Sequence, residues 1–373
     1  MSKLKRFRKC LGILLHKSHY VRRETYYSDC ERKTDKEILW DQLRLCWRFG
    51  QTDPFYFTYG FDRKEMTFNR MIHEYILPYK KFQKRVNHLN FNNPRYDSFH
   101  GRLTGRVITG DKFYFNVFLE RFHFPTPKVY CFIKDKSPLY FDDRFGIDVS
   151  LTPFEQLKSF LSNEMDAFAK PSDGQLGNGI FSLRRKEGKL YVNEVETSVE
   201  DVIEKLLSAD YLIQERIYQH PALSVFCDSS INSIRLQTVM DKDGKVIPFG
   251  AGVRMGRRGS QVDNWAKGGV FVGVDMETGK LMARGIMKPG FGTSAFEHPD
   301  SKVKFEGYVI PYYKEAEQLA VRLHKYLYRC HSVGWDFAIT LDGPVFIEGN
   351  GLWEISLVQA VHGGLKRYEK FFE

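Results

Sequence analysis

Apolar residues recur at helical spacing from residue 35 to about residue 90, and the texture of the chain then changes. Asp35 can cap a helix over 36–49 that Gly50 stops, and a second helical stretch over 66–79 is interrupted by Pro78. Trp40, Trp47, Phe68, Tyr75 and Tyr79 recur in these segments. An aromatic stripe at such spacing ordinarily packs a core. The pattern predicts an N-terminal helical region, 1–95, acting as a lid or as an acceptor-recognition element.

From about residue 96 strands, glycine turns and helices alternate. Gly110-Asp111-Lys112 opens a helix that runs to Phe122. A strand over 128–133, a helix over 154–163 and a strand over 167–171 follow. The loop 172–179 then leads into strands 180–185 and 189–195, a helix over 199–207 and a strand over 211–217. A second, larger set of strands begins near 230. Segments 233–240 and 245–254 flank Asp241-Lys242-Asp243-Gly244, a hairpin signal, and 269–275 and 280–286 flank Glu277-Thr278-Gly279. A long amphipathic helix is expected over 311–330. A last hairpin pairs 333–341 with 345–350. The fold class is α+β.

Charge adds a location to this picture. The chain of 373 residues has a formal net charge of +10. Residues 1–30 hold Lys3, Lys5, Arg6, Arg8, Lys9, Lys17, Arg22 and Arg23 against Glu24 and Asp29, which is 8 − 2 = +6, leaving 10 − 6 = +4 for the rest. Basicity held mostly in a tail argues against a nucleic-acid partner, which more often needs it across a folded face. It predicts a solvated basic arm, or attraction to an acidic membrane surface or to a glycosyltransferase partner. Leu11–Leu15 is too short for a signal-peptide core, and no apolar run approaches the roughly 20 residues of a membrane span. Cys10, Cys30, Cys46, Cys131, Cys227 and Cys330 form no CxxC pair and read as reduced thiols. The expectation is a cytoplasmic protein, peripheral at the inner membrane face if the arm binds lipid. A homodimer stays open.

Four constellations carry candidate chemistry. In the last hairpin, a three-residue turn over 342–344 would pair Asp336 with Asn350 and Ala338 with Glu348. Asp336, Glu348 and Asn350 would then share a face, whereas a two-residue turn would send Asp336 to the other side. Two carboxylates and an amide oxygen suit Mg²⁺ alongside substrate phosphates, and substituting either carboxylate is expected to spare the fold. The bland alternative is the polar face of an edge hairpin. Gly174, Gly177 and Gly179 can curl backbone amides around an anion, with Lys170 just before them, or can simply make a flexible loop. Met240 facing Lys245 would set Arg235 opposite Gly250 and put Arg235 and Arg254 on one face, suited to a transferring phosphoryl group or to surface ion pairs. The strand ending in Gln214-Glu215-Arg216-Ile217 offers backbone groups to a base edge, as many strand ends do.

The order of these elements resembles the ATP-grasp superfamily, and most closely its sugar-transfer associated group. The resemblance rests on Gly110-Asp111-Lys112, Ala169-Lys170-Pro171 through Gly179, Gln214-Glu215, Asn232-Ser233-Ile234-Arg235, Gly252-Val253-Arg254, Asn264 with Gly268-Gly269, and Gly334-Trp335-Asp336 through Asn350. It implies an ATP-grasp fold over 96–373: an N-terminal subdomain (96–165), a small glycine-loop subdomain (166–217) and a C-terminal metal-binding subdomain (218–373), with antiparallel sheets clamping ATP. It implies ATP held by Lys112, Lys170, Gly174, Gly177, Gly179, Gln214, Glu215 and Ile217, with His220 toward the ribose. Asp336, Glu348 and Asn350 would hold Mg²⁺ or Mn²⁺, and Arg235 and Arg254 would act in catalysis. The implied reaction is carboxylate–amine ligation through an acylphosphate, with a uronic-acid sugar and an amine as substrates in surface polysaccharide synthesis. After Asn350 the chain continues Gly351-Leu352-Trp353 where many such ligases have a Pro-Gly turn, so the acceptor does not carry over. A non-catalytic ATP-binding module and a sugar kinase remain rivals.

Overall fold

The computed structural model describes residues 2–21, 25–92, 106–172, 179–260, 262–288, 290–327 and 330–373. The N-terminal region holds α1 (Lys3–Leu15), α2 (Lys17–Tyr20), α3 (Asp35–Phe49), α4 (Phe68–Glu74) and α5 (Tyr79–Asn92). Thr34, rather than Asp35, caps α3. Its hydroxyl accepts the Glu37 amide, and the Glu37 carboxylate accepts the Thr34 amide at 2.7 Å, a reciprocal capping box. The stretch expected as one helix over 66–79 is the short α4, an extended turn and then α5. Pro78 cannot donate within a helix and disfavours helix just before it.

Next come α6 (Arg106–Gly110) and α7 (Lys112–Arg121), the latter capped by Asp111, whose carboxylate accepts the Tyr114 amide at 3.0 Å. The first sheet is built from β1 (Val129–Lys134), β2 (Ser137–Tyr140), β3 (Met165–Pro171), β4 (Phe181–Lys186), β5 (Lys189–Val192), β6 (Val195–Glu196) and β7 (Tyr211–Glu215). Its order is β2-β1-β7-β3-β4-β5-β6, with every pair antiparallel. The strand expected over 189–195 is split into β5 and β6, because Asn193 and Glu194 take positive φ in a turn. Strands from 96–165 and from 166–217 share this one sheet, so the two segments are one body and not two subdomains. Helices α8 (Pro153–Leu161) and α9 (Val199–Leu207) bury Leu157, Phe160, Ile203 and Leu206 in one core with Ala167, Leu183 and Ile213 of the sheet.

After α10 (Pro221–Ser224), the second sheet forms from β8 (Ile234–Met240), β9 (Val246–Met255), β10 (Val270–Asp275), β11 (Lys280–Met287) and β12 (Ser294–Ala295), then α11 (Tyr313–His324), β13 (Ser332–Thr340) and β14 (Gly343–Asn350), before α12 (Ser356–His362). Its order is β12-β11-β10-β9-β8-β13-β14, again antiparallel. Helix α11 ends at His324, earlier than the expected 330. One core packs Leu236, Val253, Trp335 and Phe337 of the sheet with Phe115 of α7 and Leu323 of α11. A second core joins Phe249, Phe271, Trp353 and Val358 to Ile38, Leu45, Tyr59, Tyr75 and Val86 of the N-terminal region. Buried hydrogen bonds stitch that seam. Asn90 Nδ2 donates to the carbonyls of Ser332 (3.0 Å) and Gly351 (2.6 Å), and the Ile76 amide donates to Gln359 Oε1 at 2.8 Å. The N-terminal region is therefore a wall of the second sheet, not a hinged lid.

Candidate ATP and phosphate site

The β13–β14 hairpin turns in two residues, since Thr340 pairs with Gly343. Alone that register would set Asp336 opposite Ile347. An irregularity between Asp336 and Phe337 absorbs Ile347, so Asp336 pairs with Glu348 and Gly334 with Asn350. The expected three-residue turn is thus replaced by a two-residue turn plus a bulge: Asp336 faces Glu348 and not Asn350, and Ala338 faces Val345 and not Glu348, yet Asp336, Glu348 and Asn350 still share a face.

The arginine sheet corrects in the same way. Met240 pairs with Val246, a further shift follows at Gln237/Thr238, and Arg235 faces Gly252 rather than Gly250. Two one-residue shifts leave the parity unchanged, so Arg235 and Arg254 still share a face. Both converge on Asp336. Its Oδ1 lies 2.6 Å from Arg235 Nε and 2.8 Å from Arg254 Nη2, while its Oδ2 accepts from Arg235 Nη2 at 2.8 Å and from Asn350 Nδ2 at 3.3 Å. Asp336 is 1% exposed. Gly334 makes this approach possible, because a Cβ there would stand 3.2 Å from Arg235 Nη1 and 2.8 Å from Trp353 Cβ. Behind Arg254, Asp263 accepts from the Ser233 amide at 2.9 Å and from its hydroxyl, and Ser233 Oγ accepts from Arg254 Nε at 3.1 Å. Sequence reasoning missed Asp263; only its place immediately before the quoted Asn264 hinted at it.

The first sheet contributes the other half. On β3 and β7, Lys170 pairs with Leu212 and Phe168 with Gln214, so these four side chains share the face opposite the α8–α9 core. Phe132 and Val129 extend that face into an apolar floor. Gln214 is buried, and its Nε2 has no hydrogen-bond partner among the described residues, an unused donor on that floor. Lys112, the first residue of α7, reaches the end of β3, where Nζ donates to the Pro171 carbonyl at 3.2 Å and contacts that of Ser172 at 3.5 Å.

Electrostatics ties the halves together. Burial pushes Lys170 down to about 8, Glu348 pulls it back up, and the cation of Lys112 lowers it again. Burial and the neighbouring Asp336 raise Glu348, against Arg235, Lys112 and Arg254. Lys112, Lys170, Arg235, Arg254, Asp336 and Glu348 thus feel one another, with four cations around two carboxylates. Such an excess suits a polyanion. Of the glycine loop, Gly174 and Gly177 lie outside the described residues. Gly179 sits at φ +75°, where a Cβ would stand 2.8 Å from Pro171 Cγ.

Other candidates sit apart. The Glu215 side chain lies by alternation on the face opposite Gln214, with Oε2 3.4 Å from the Lys128 amide. Ile217 lies just beyond β7. His220 caps α10, its Nδ1 accepting the Ala222 amide at 3.1 Å, while its own amide donates to the Ile339 carbonyl at 2.6 Å. Among the described residues, no group of three or more His, Cys, Asp or Glu side chains is arranged to hold a metal.

The model of a family described as sugar-transfer associated ATP-grasp matches residues 93–370. The chain belongs to that family. Solved ATP-grasp structures are similar at low identity. A carboxyaminoimidazole ribonucleotide synthase from Aspergillus clavatus, complexed with ATP, is 11% identical, with a TM-score of 0.38, over 66% of this chain and 45% of that one. A D-alanine–D-alanine ligase from Bacillus anthracis is 12% identical, with a TM-score of 0.36, over 71% of this chain and 66% of that one. This chain spans less than half the length of the first. No curated protein sequence matches. In this sugar-transfer associated ATP-grasp protein, the matched segment holds both sheets and every candidate residue.

Proposed function

We propose that the protein is an ATP-dependent carboxylate–amine ligase acting on a sugar carboxylate of the uronic-acid type. The observation that carries the reading is the clamp of Arg235 and Arg254 on Asp336, with Lys112, Lys170 and Glu348 in electrostatic reach of one another beside it, between an apolar floor with an unused amide donor and a second antiparallel sheet. The floor suits a purine ring, with Gln214 Nε2 as a donor to a ring nitrogen, and the four cations suit a triphosphate.

Glu348 and Asn350 fit a hard divalent cation shared with phosphate oxygens, as Mg²⁺ prefers, with Mn²⁺ as the alternative. Asp336 joins them only when the arginines turn from it to phosphate, since both its oxygens now lie against guanidinium nitrogens. When bound, the cation supplies charge neutralisation on the phosphates. The arginines hold the γ-phosphoryl group as a sugar carboxylate oxygen bonds to its phosphorus and ADP leaves. An amine nitrogen then bonds to the acyl carbon, phosphate departs, and the nitrogen gives up a proton. Positioning and neutralised charge suffice for both steps, and no nucleophilic side chain is needed.

The test is phosphate release from ATP with uronic-acid sugar nucleotides and a panel of amines, the product being weighed by mass spectrometry. An amide supports the reading; a phosphoester makes the protein a kinase. The arginine-saturated state of Asp336 favours a second reading, an ATP-binding module without turnover. ATP binding with no phosphate release from any acid would establish that reading instead.

A further inference from the structure

Helix α1 presents two faces. Ile13 is buried, Arg6 donates to the Trp47 carbonyl at 3.0 Å, Lys9 donates to that of Gly50 at 2.9 Å, and Cys10 Sγ lies 3.9 Å from the Leu43 carbonyl, so this face seats the helix on α3. At 100° per residue, Leu4, Phe7, Leu11, Leu14 and Leu15 fall together on the opposite side. They are 46–72% exposed. A monomer in water gains nothing by holding five large apolar side chains in one outward stripe. Lys3, Lys5 and Arg8 flank the stripe and Lys17 follows it, and none of the four has an ion-pair partner among the described residues. Residues 1–23 contain eight Lys or Arg and no Asp or Glu. On α3, Trp40 and Trp47, seven residues apart and so on one helix face, are also exposed.

We propose that α1 docks this protein on an anionic lipid surface, lying in the plane of the interface with the Leu4–Leu15 stripe in the acyl boundary and its lysines and arginines at the headgroups. The charge decides the occupant. A protein groove that took the apolar stripe would have to answer a one-signed field on both flanks, whereas an anionic bilayer supplies negative charge on every side at once. Thirteen residues are too few to span a bilayer, and no helix among the described residues is long and apolar enough to do so. The helix lies on the surface because its inner face is already held by α3.

The test uses the full chain with vesicles of phosphatidylcholine alone and of phosphatidylcholine mixed with phosphatidylglycerol, read by co-sedimentation. The expected result is binding to the anionic vesicles only, weakened by salt. The triple variant Lys3→Ala, Lys5→Ala, Arg8→Ala should bind them about 100-fold less tightly, at roughly five-fold per charge. Phe7→Glu with Leu11→Glu should abolish binding. Both variants change exposed side chains, so their melting temperatures and their ATP-induced shifts should match the parent, which separates this result from the fate of the nucleotide site. Failure of the parent to bind anionic vesicles overturns the proposal. So does a concentration-dependent dimer, lost in Phe7→Glu with Leu11→Glu, in a parent that ignores vesicles; the stripe would then belong to a second copy.

Discussion

A buried aspartate between two arginines cannot be exchanged like an exposed ligand. Removing Asp336 would leave Arg235 and Arg254 charged and uncompensated in the protein interior, a loss of about 3–5 kcal/mol when one partner of a buried pair goes. Asp336→Ala should therefore lower the melting temperature markedly, which revises the expectation that both carboxylates could be removed without harm to the fold. Glu348→Gln keeps the shape of a side chain that makes no ion pair with an arginine among the described residues, so it should melt like the parent and lose ATP turnover. Calorimetry beside a turnover assay checks the pair; equal melting of all three proteins would mean that the arginine clamp contributes nothing to folding. Lys170 gives a pH signature. Its folded value of about 8 lies below the ordinary 10.5, so between those values the unfolded chain holds more protons. The cost of burying this ammonium is thus present in full below about pH 8, and stability from this group rises as pH climbs from there toward 10.5. ATP affinity runs the other way, because phosphate attracts only the charged form. Affinity measured calorimetrically should fall above about pH 8, and Lys170→Arg should remove that fall. An unbent profile in the parent would place Lys170 away from the phosphates.

At the scale of the hairpin, side-chain types were readable in the chain and pairing was not. Asp336, Glu348, Asn350, Arg235 and Arg254 stood out because carboxylates and guanidiniums seldom alternate with Trp, Phe and Ile on central strands. The bulge at Ile347 had no local signature, since neither Gly nor Pro marks it, and it sits beside tertiary packing that the sequence does not show, with Phe346 against Phe337 at 4.3 Å and Trp335 at 5.6 Å between ring centroids. The shifts in β8–β9 were equally silent, yet parity survived them because there were two. The position that admits the clamp is Gly334. Gly334→Ala would press a methyl group on Trp353 and Arg235, and overpacking of this kind costs about 1–3 kcal/mol. The wall of Trp353 is held by its indole, which donates to Ser332 Oγ at 3.0 Å, so Arg235 is the group that yields. The variant should melt lower and bind ATP more weakly, checked by thermal shift with and without nucleotide. Unchanged affinity would show that Arg235 does not need its present seat.

For the whole molecule the open matter is where the folding unit begins. The family match starts at residue 93, and the sequence pattern likewise suggests a break near 95. The core does not break there. Phe249, Phe271, Ile286, Trp353 and Val358 of the second sheet and its flank are buried in one cluster with Ile38, Leu45, Tyr56, Tyr59, Phe61, Tyr75 and Val86. Periodicity found the early helices, but it could not say what their aromatic faces cover, because a stripe records burial and not its partner. Cutting at 93 would expose several large apolar side chains, each worth about 1.5–3 kcal/mol when buried, and would orphan the carbonyls of Ser332 and Gly351 that Asn90 now satisfies. Those losses together exceed the 5–15 kcal/mol by which domains are stable. A chain of 93–373 should accordingly lack cooperative melting and near-ultraviolet circular dichroism, and should bind a dye for exposed apolar surface. Deleting residues 2–20 removes only one fully buried side chain, Ile13, so that chain should stay cooperative and keep its ATP-induced shift. A soluble, cooperatively melting 93–373 that still binds ATP would move the folding boundary to the family boundary and reduce the N-terminal region to an appendage.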